Sequence, residues 1–526
     1  MESNEILKFC LEKGLLLDKD LLNLFSENSD MDSTKLILEN IKRHTNQRVI
    51  TKNIFYENKE KVNELFSGLS QENQKNLEKL KIKLGLSIEI SREISSEPEK
   101  EEVYEIKSVP QPEVENVKIL KNYLIPGRKL EFKDFLTHYK NRFSSLRDIL
   151  QARSELDDLI SINKISGDRQ TFSIIGMVYD KRVTKNKNIL LEIEDLTGKM
   201  RVLINKDKED LYEKAQEVLV DNVIGFKGSG NGEILFANEL FFPDAALPVR
   251  KRSNVEEHAL FIGDLHFGSK LFLKESFLKF IDYLNGKVPG TEDEVSKIKY
   301  LFLVGDLVTG VGNYPNQEND LVITDLEEQY LQLADLLGKI DKRIKLIVSA
   351  GNHDGVRLME PQPTHDEKFA WPLYELENLY FTSNPSEVNI GSNKSFPGFN
   401  ILTYHGFSFP YFVNNVPRLM LGKCMNQPDE IMKFLLRARH LSPSHSSNQF
   451  FPSHEDNLVI RDVPDIFVSG HTHKSAVSYY NNILVISVSC WESLTSYQIK
   501  FGNNPDHCKV PMFNLKTGAV KILDFE

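Results

Sequence analysis

The chain has 526 residues, 40% hydrophobic and 27% charged, an ordinary globular composition, and at about 150 residues per domain it holds three or four domains. A formal net charge of −11 excludes a protein that grips nucleic acid with a uniformly basic surface, so any such grip is local or comes from a partner. Four scattered cysteines exclude a disulfide framework and a CxxC zinc site, and no apolar run reaches the roughly 18 residues of a membrane span, so a cytoplasmic protein is expected.

Residues 1–90 predict a helical module. In STKLILENIKRH, Leu36, Ile37 and Ile41 recur at helical spacing behind Asp32 or Ser33 as a cap, and ENQKNLEKLKIKLGL is a second such run. Residues 91–115 are acidic and Pro-bearing with few core formers, which predicts a flexible acidic linker. Residues 116–168 predict a helical connection, because the apolar spacing in FKDFLTHYKNRFSSLRDIL is helical again.

Residues 169–245 switch to five short alternating strands, with the helical stretch LYEKAQEVL between the third and fourth, the pattern of an OB-type β-barrel. Its first loop carries Lys181, Arg182, Lys185 and Lys187, candidates for single-stranded DNA, although without a neighbouring aromatic pair a solvated hairpin is the more ordinary role. Residues 255–526 alternate apolar strands with helical runs, which predicts a large α/β domain.

In this last domain five apolar strands end on costly polar residues. HALFIGDLH ends on Asp264 and His266, KYLFLVGDLV on Asp306, KLIVSAGNHD on Asn352, His353 and Asp354, FNILTYHGF on His405, and DIFVSGHTH on His471 and His473. Strand ends of one sheet converge along an edge, so residues distant in sequence meet there. Asp264 and His266, like His471 and His473, are two apart and share a side of an extended backbone. Carboxylate, imidazole and amide oxygen together suit two divalent ions, with manganese, iron and zinc all open.

Asp264-x-His266, Gly305-Asp306, Gly351-Asn352-His353-Asp354, His405 and Gly470-His471-Thr472-His473 resemble the motif set of the calcineurin-like metallophosphoesterases. That resemblance implies an α/β domain with a β-sandwich core. GDLVTGVG, GNHDGVRLMEPQP, RHLSPSH and VPDIFVSGHTH, behind an OB-like segment, are further similar to the small subunits of the archaeal D-family DNA polymerases, over roughly residues 120–526. The resemblance implies one metal held by Asp264, His266, Asp306 and His473, and a second by Asp306, Asn352, His405 and His471. Manganese is the first choice for both. His353 would be the catalytic acid, with Asp354 orienting it.

The implied activity is a 3′–5′ exonuclease acting on single-stranded or mispaired 3′ DNA ends. The implied partner is the large catalytic subunit of a heterodimeric polymerase. The N-terminal module would be an adaptor toward a sliding clamp or a primase, though no clamp-binding motif is visible. The rival readings are an inactive scaffold subunit and a stand-alone repair nuclease. His440 in RHLSPSH is a secondary candidate, and His365, His445 and His454 are expected to be structural or surface residues. Trp371 and Trp491 are expected to be anchors.

Overall fold

The computed structural model describes residues 3–18, scattered positions up to residue 50, residues 117–123 and residues 129–526. The expected linker at 91–115 and the second helical run lie outside the described residues. The chain divides into two compact units, 1–109 and 110–526. In the first, the helix Ser3–Glu12 buries Ile6 and Cys10. This unit is not helical throughout: Leu16–Leu17 (β1) pairs in parallel with Val49–Ile50 (β2). Among the described residues no helix is long and apolar enough to cross a membrane.

The second unit opens with a strand where a helical connection was expected. Val117–Lys121 (β3) pairs antiparallel with Ser386–Ile390 (β13). Tertiary pairing overrides local propensity here. Val117 reaches the core, and Lys121 is fixed by Glu387 at 2.6 Å and Asp462 at 2.7 Å. The expected helix follows over Phe132–Gln151, opened by a capping box between Glu131 and Asp134. Its buried residues Phe143, Leu146 and Leu150 recur every three or four positions and pack on Ile175, Met177 and Val223 of the barrel.

The barrel is closed and five-stranded: Gln170–Val183 (β4), Ile189–Glu194 (β5), Lys199–Ile204 (β6), Val223–Gly230 (β7) and Ile234–Phe241 (β8), in the order β4-β5-β6-β8-β7. Closure leaves no open edge. The helix Glu209–Gln216 sits between the third and fourth strands, as expected. Lys181 is not free for a ligand. Its ammonium donates to the Gln216 and Val218 carbonyls at 2.7 and 2.8 Å, and burial pushes its pKa down to about 8. Lys185 and Lys187 stay exposed.

The remaining strands form two six-stranded sheets face to face. One sheet has the order β12-β11-β10-β9-β18-β19. It comprises His258–Ile262 (β9), Ile298–Val304 (β10), Lys345–Ser349 (β11), Leu379–Thr382 (β12), Lys509–Asn514 (β18) and Val520–Asp524 (β19). The other has the order β16-β17-β15-β14-β13-β3. It adds Phe399–Tyr404 (β14), Ile466–Ser469 (β15), Ala476–Tyr480 (β16) and Ile483–Ser487 (β17).

Phe261, Phe302 and Ile347 of the first sheet meet Val388, Ile401, Val468 and Ile486 of the second in one buried core. Each such side chain stabilises by roughly 1.5–3 kcal/mol. Helices cover both outer faces. Burial on both faces explains why these strands read as continuous apolar runs. All four cysteines are free and buried.

The helix Phe132–Gln151 is tied to the sandwich by charge. Arg142, fully buried, donates through Nε to Asp456 Oδ2 at 2.6 Å and also bonds the Pro443 carbonyl. His440 Nε2 donates to the same Asp456 oxygen at 2.8 Å. Removing the arginine leaves a buried carboxylate without its cation. Arg142→Ala should therefore lower stability by about 3–5 kcal/mol, read from denaturant melts.

Candidate metal centre

β9, β10 and β11 are mutually parallel, as are β14 and β15. Each of these strands is followed within three residues by a predicted ligand: Asp264, Asp306, Asn352, His405 and His471. The ligands do not sit on extended backbone, as the two-residue spacing suggested. Asp264, His266, Asp306, His471 and His473 all adopt positive φ, between 47° and 69°. The chain leaves each strand through left-handed turns that aim these side chains inward. Such non-glycine residues each cost on the order of 1–3 kcal/mol and gather at functional sites. Neighbouring glycines let the loops close: a Cβ on Gly305 would overlap His405, and one on Gly351 would overlap Asp306.

All the predicted ligands meet. Three groups each bring their donor atoms within 4.8 Å of one another: Asp264, His266 and His473; His266, Asp306 and His353; and Asp306, His405 and His471. Asp306 belongs to two of them. His266 and His473 place their Nε2 atoms 2.9 Å apart, and His405 Nε2 lies 3.2 Å from Asp306 Oδ2 and 3.1 Å from Asn352 Oδ1. His473 Nε2 lies 3.5 Å from Asp264 Oδ1. His405 Nδ1 donates to the Val304 carbonyl at 3.1 Å, which turns its Nε2 toward the cluster.

The donor chemistry fits a pair of cations. Asp264 and Asp306 are buried, and among the described residues no Lys or Arg bonds to either. Burial, with Asp306 adding to it, holds the Asp264 carboxyl well above its ordinary range. Burial pushes His266 and His471 down to about 3, the neighbouring imidazoles helping, so both are neutral imidazoles at pH 7. Burial opposes a charge on His405, but the Asp306 carboxylate outweighs it and raises His405 to about 10. His266 Nδ1 is buried without a hydrogen-bond partner. Two carboxylates among inward-facing imidazoles make a site for positive charge.

Two expectations need correction. Asp354 does not orient His353. Its oxygens accept from the backbone amides of Gly351 (2.8 Å), Leu307 (3.0 Å) and Val308 (3.2 Å), so it ties the loop after β11 to the loop after β10. The His353 ring is set instead by the Thr309 carbonyl, to which Nδ1 donates at 2.9 Å, beside Asn313 Nδ2 at 3.3 Å. His440 lies in the Arg142–Asp456 cluster and not at the centre. Sequence reasoning passed over Gln498, whose side-chain amide lies 2.8 Å from His473 Nδ1, since nothing in SYQIKF marks it. It also set aside His365, which is buried with Nε2 3.4 Å from Asp354. Trp491 is a core anchor between Phe277 and Phe280, as expected, while Trp371 is partly exposed and donates to Glu327.

Comparison with known proteins agrees with this geometry. The calcineurin-like phosphoesterase family matches residues 258–475, which hold every predicted ligand. The DNA polymerase II small subunit of Methanothermobacter thermautotrophicus is 37% identical over 399 residues, covering 75% of this chain and 80% of that protein. The chain belongs to the archaeal DNA polymerase II small subunit family. The small subunit of Pyrococcus furiosus is 38% identical over 74% of this chain, a match that spans 63% of that protein's length. That of Halobacterium salinarum is 31% identical over 75% of this chain. In this small subunit, therefore, the metallophosphoesterase domain carries a complete set of candidate ligands.

Two measurements probe the centre. Manganese at about 100 times its Kd should stabilise the full chain by about 2.7 kcal/mol per site in thermal melts. Asp306→Asn, which weakens the shared ligand, should remove most of that gain; an unchanged gain places the ion elsewhere.

The second concerns Glu360, beneath His405. Tyr404 Oη lies 3.0 Å from Glu360 Oε2 and 2.8 Å from Ser408 Oγ, which donates to the Leu441 carbonyl. A protonated Glu360 gives every group in this row a matched partner, and burial pushes its pKa from 4.5 up to about 7. The fold thus favours the acid form, a stabilisation complete below about pH 4.5 and lost as pH rises through 7. Glu360→Gln should gain up to about 3 kcal/mol above pH 7 and nothing below pH 4.5, read from denaturation at several pH values.

Proposed function

We propose that this chain is the proofreading nuclease of a two-subunit replicative polymerase, removing 5′-mononucleotides from single-stranded or mispaired 3′ ends of DNA, while a large partner subunit carries the polymerase site. The observation that carries this reading is the sharing of Asp306 between two donor groups at one end of the sandwich. Asp264, His266, Asp306 and His473 would hold one ion, and Asp306, Asn352, His405 and His471 the other, manganese being the first choice. When bound, the ions would supply Lewis acidity toward the phosphate and acidify the attacking water.

The protein's own contribution centres on His353. Its backbone amide donates to Asp306 Oδ1 at 2.7 Å, which fixes the loop against the ligand set. With Nδ1–H held by Thr309, Nε2 is the atom free to carry a proton to the substrate. As the water oxygen bonds to phosphorus, the bond from phosphorus to the upstream 3′ oxygen breaks. Protonated His353 gives that oxygen its proton, general-acid work worth about 10²–10⁴-fold. Asp354 positions the loops and makes no contact with the reacting atoms in this scheme.

The barrel at 169–245 reads as an OB-type domain that steadies the catalytic domain at 255–526, with Lys185 and Lys187 at its exposed hairpin. Residues 1–90 would be an adaptor toward another replication protein. The deciding experiment separates ligand from acid. His353→Ala should keep bound manganese near the wild-type stoichiometry and lose at least about 10²-fold in turnover on a 3′-labelled mispaired primer. His471→Ala should lose metal and turnover together. Equal metal loss in both mutants moves His353 into the ligand set.

A further inference from the structure

A cavity of about 740 Å³ opens beside the centre. His353 and Asp354 line it, with Asn313 and His365, while none of the seven predicted metal ligands does, so the cavity meets the centre on its His353 side. Leu326, Phe369 and Tyr374 give it apolar and aromatic walls, and Arg357 and His365 give it polar groups. Thr364, Asp366 and Glu367 line it as well, besides Asn313 and Asp354, so its walls are of mixed polarity, and its size falls in the range of a small-molecule site.

His365 points to a ligand independently. It is 1% exposed; its Nε2 lies 3.4 Å from Asp354 Oδ2, and its Nδ1 has no hydrogen-bond partner. Leaving such a polar group unsatisfied costs roughly 1–3 kcal/mol. The polar edge of a guest in the cavity would supply the missing partner, while its flat face would lie against the aromatic wall.

We propose that this cavity receives the nucleoside whose 3′ oxygen is the leaving group, the penultimate nucleoside of a DNA 3′ end, with its base drawn out of the strand. The assignment rests on the nuclease reading above: His353 delivers its proton to that oxygen, so the leaving nucleoside lies on the His353 side. A paired end must break a base pair to fill the cavity, at a cost of a few kcal/mol that a frayed or single-stranded end does not bear. The cavity would thereby favour frayed and single-stranded ends without reading any sequence.

The test uses the full chain loaded with manganese and measures equilibrium binding by calorimetry. Deoxyadenosine 3′-monophosphate carries the phosphate and the leaving-side nucleoside; inorganic phosphate carries the phosphate alone. The nucleotide should bind at least about tenfold tighter, equivalent to about 1.4 kcal/mol. Val311 lines the cavity and is 45% exposed, so Val311→Trp can obstruct the space without disturbing the core. That variant should lose most of the preference. Equal affinity for the two probes in the wild type, or a full preference retained in Val311→Trp, overturns the assignment. Hydrolysis of DNA is scored separately: nucleotide preference without cutting removes the nuclease reading, and cutting without preference removes the cavity.

Discussion

Two carboxylates, Asp264 and Asp306, are buried where the two sheets meet, and among the described residues no lysine or arginine answers them; only imidazoles face them. Much of the phosphoesterase domain follows from that demand for outside charge. Parallel strands deliver the loops to one place, left-handed turns aim the side chains, and buried imidazoles stay neutral enough to act as ligands. The strain of those turns persists because the sandwich behind them is closely packed.

The Arg142–Asp456 cluster shows the opposite solution. Asp456 is as deeply buried as Asp264, yet burial is outweighed by Arg142 and by two histidines, and its carboxyl stays well below the ordinary range. His440 is pushed down to about 4 by burial and remains a neutral donor. One cation meets one anion, and nothing further is needed. The same residue types thus build a closed structural joint in one place and an open receptor in the other. What differs is whether a guanidinium is present.

This contrast explains what was legible in the sequence. The strand ends were legible because costly polar residues followed apolar runs five times within one domain, and His353 stood out by the same rule. The fold of the barrel was legible because alternation and a mid-barrel helix leave a period. Asp354 was misread because adjacency to His353 says nothing about which backbone amides lie across the loop. His440 drew notice through RHLSPSH and His365 did not, yet packing puts His440 in the Arg142–Asp456 cluster and His365 beside Asp354 at the cavity. β3 was read as part of a helical connection because its partner, β13, lies more than 260 residues away.

That remote pairing bears on how the protein is handled. β3 covers the backbone of β13 and is the outermost strand of its sheet. A fragment cut after Lys121 would bare the amides and carbonyls of residues 386–390, whose side chains are buried and partly apolar. Uncovered strands of that kind recruit other chains by the same hydrogen bonds that β3 makes. The short strand therefore covers β13, and the phosphoesterase domain reaches back well past the barrel to include it.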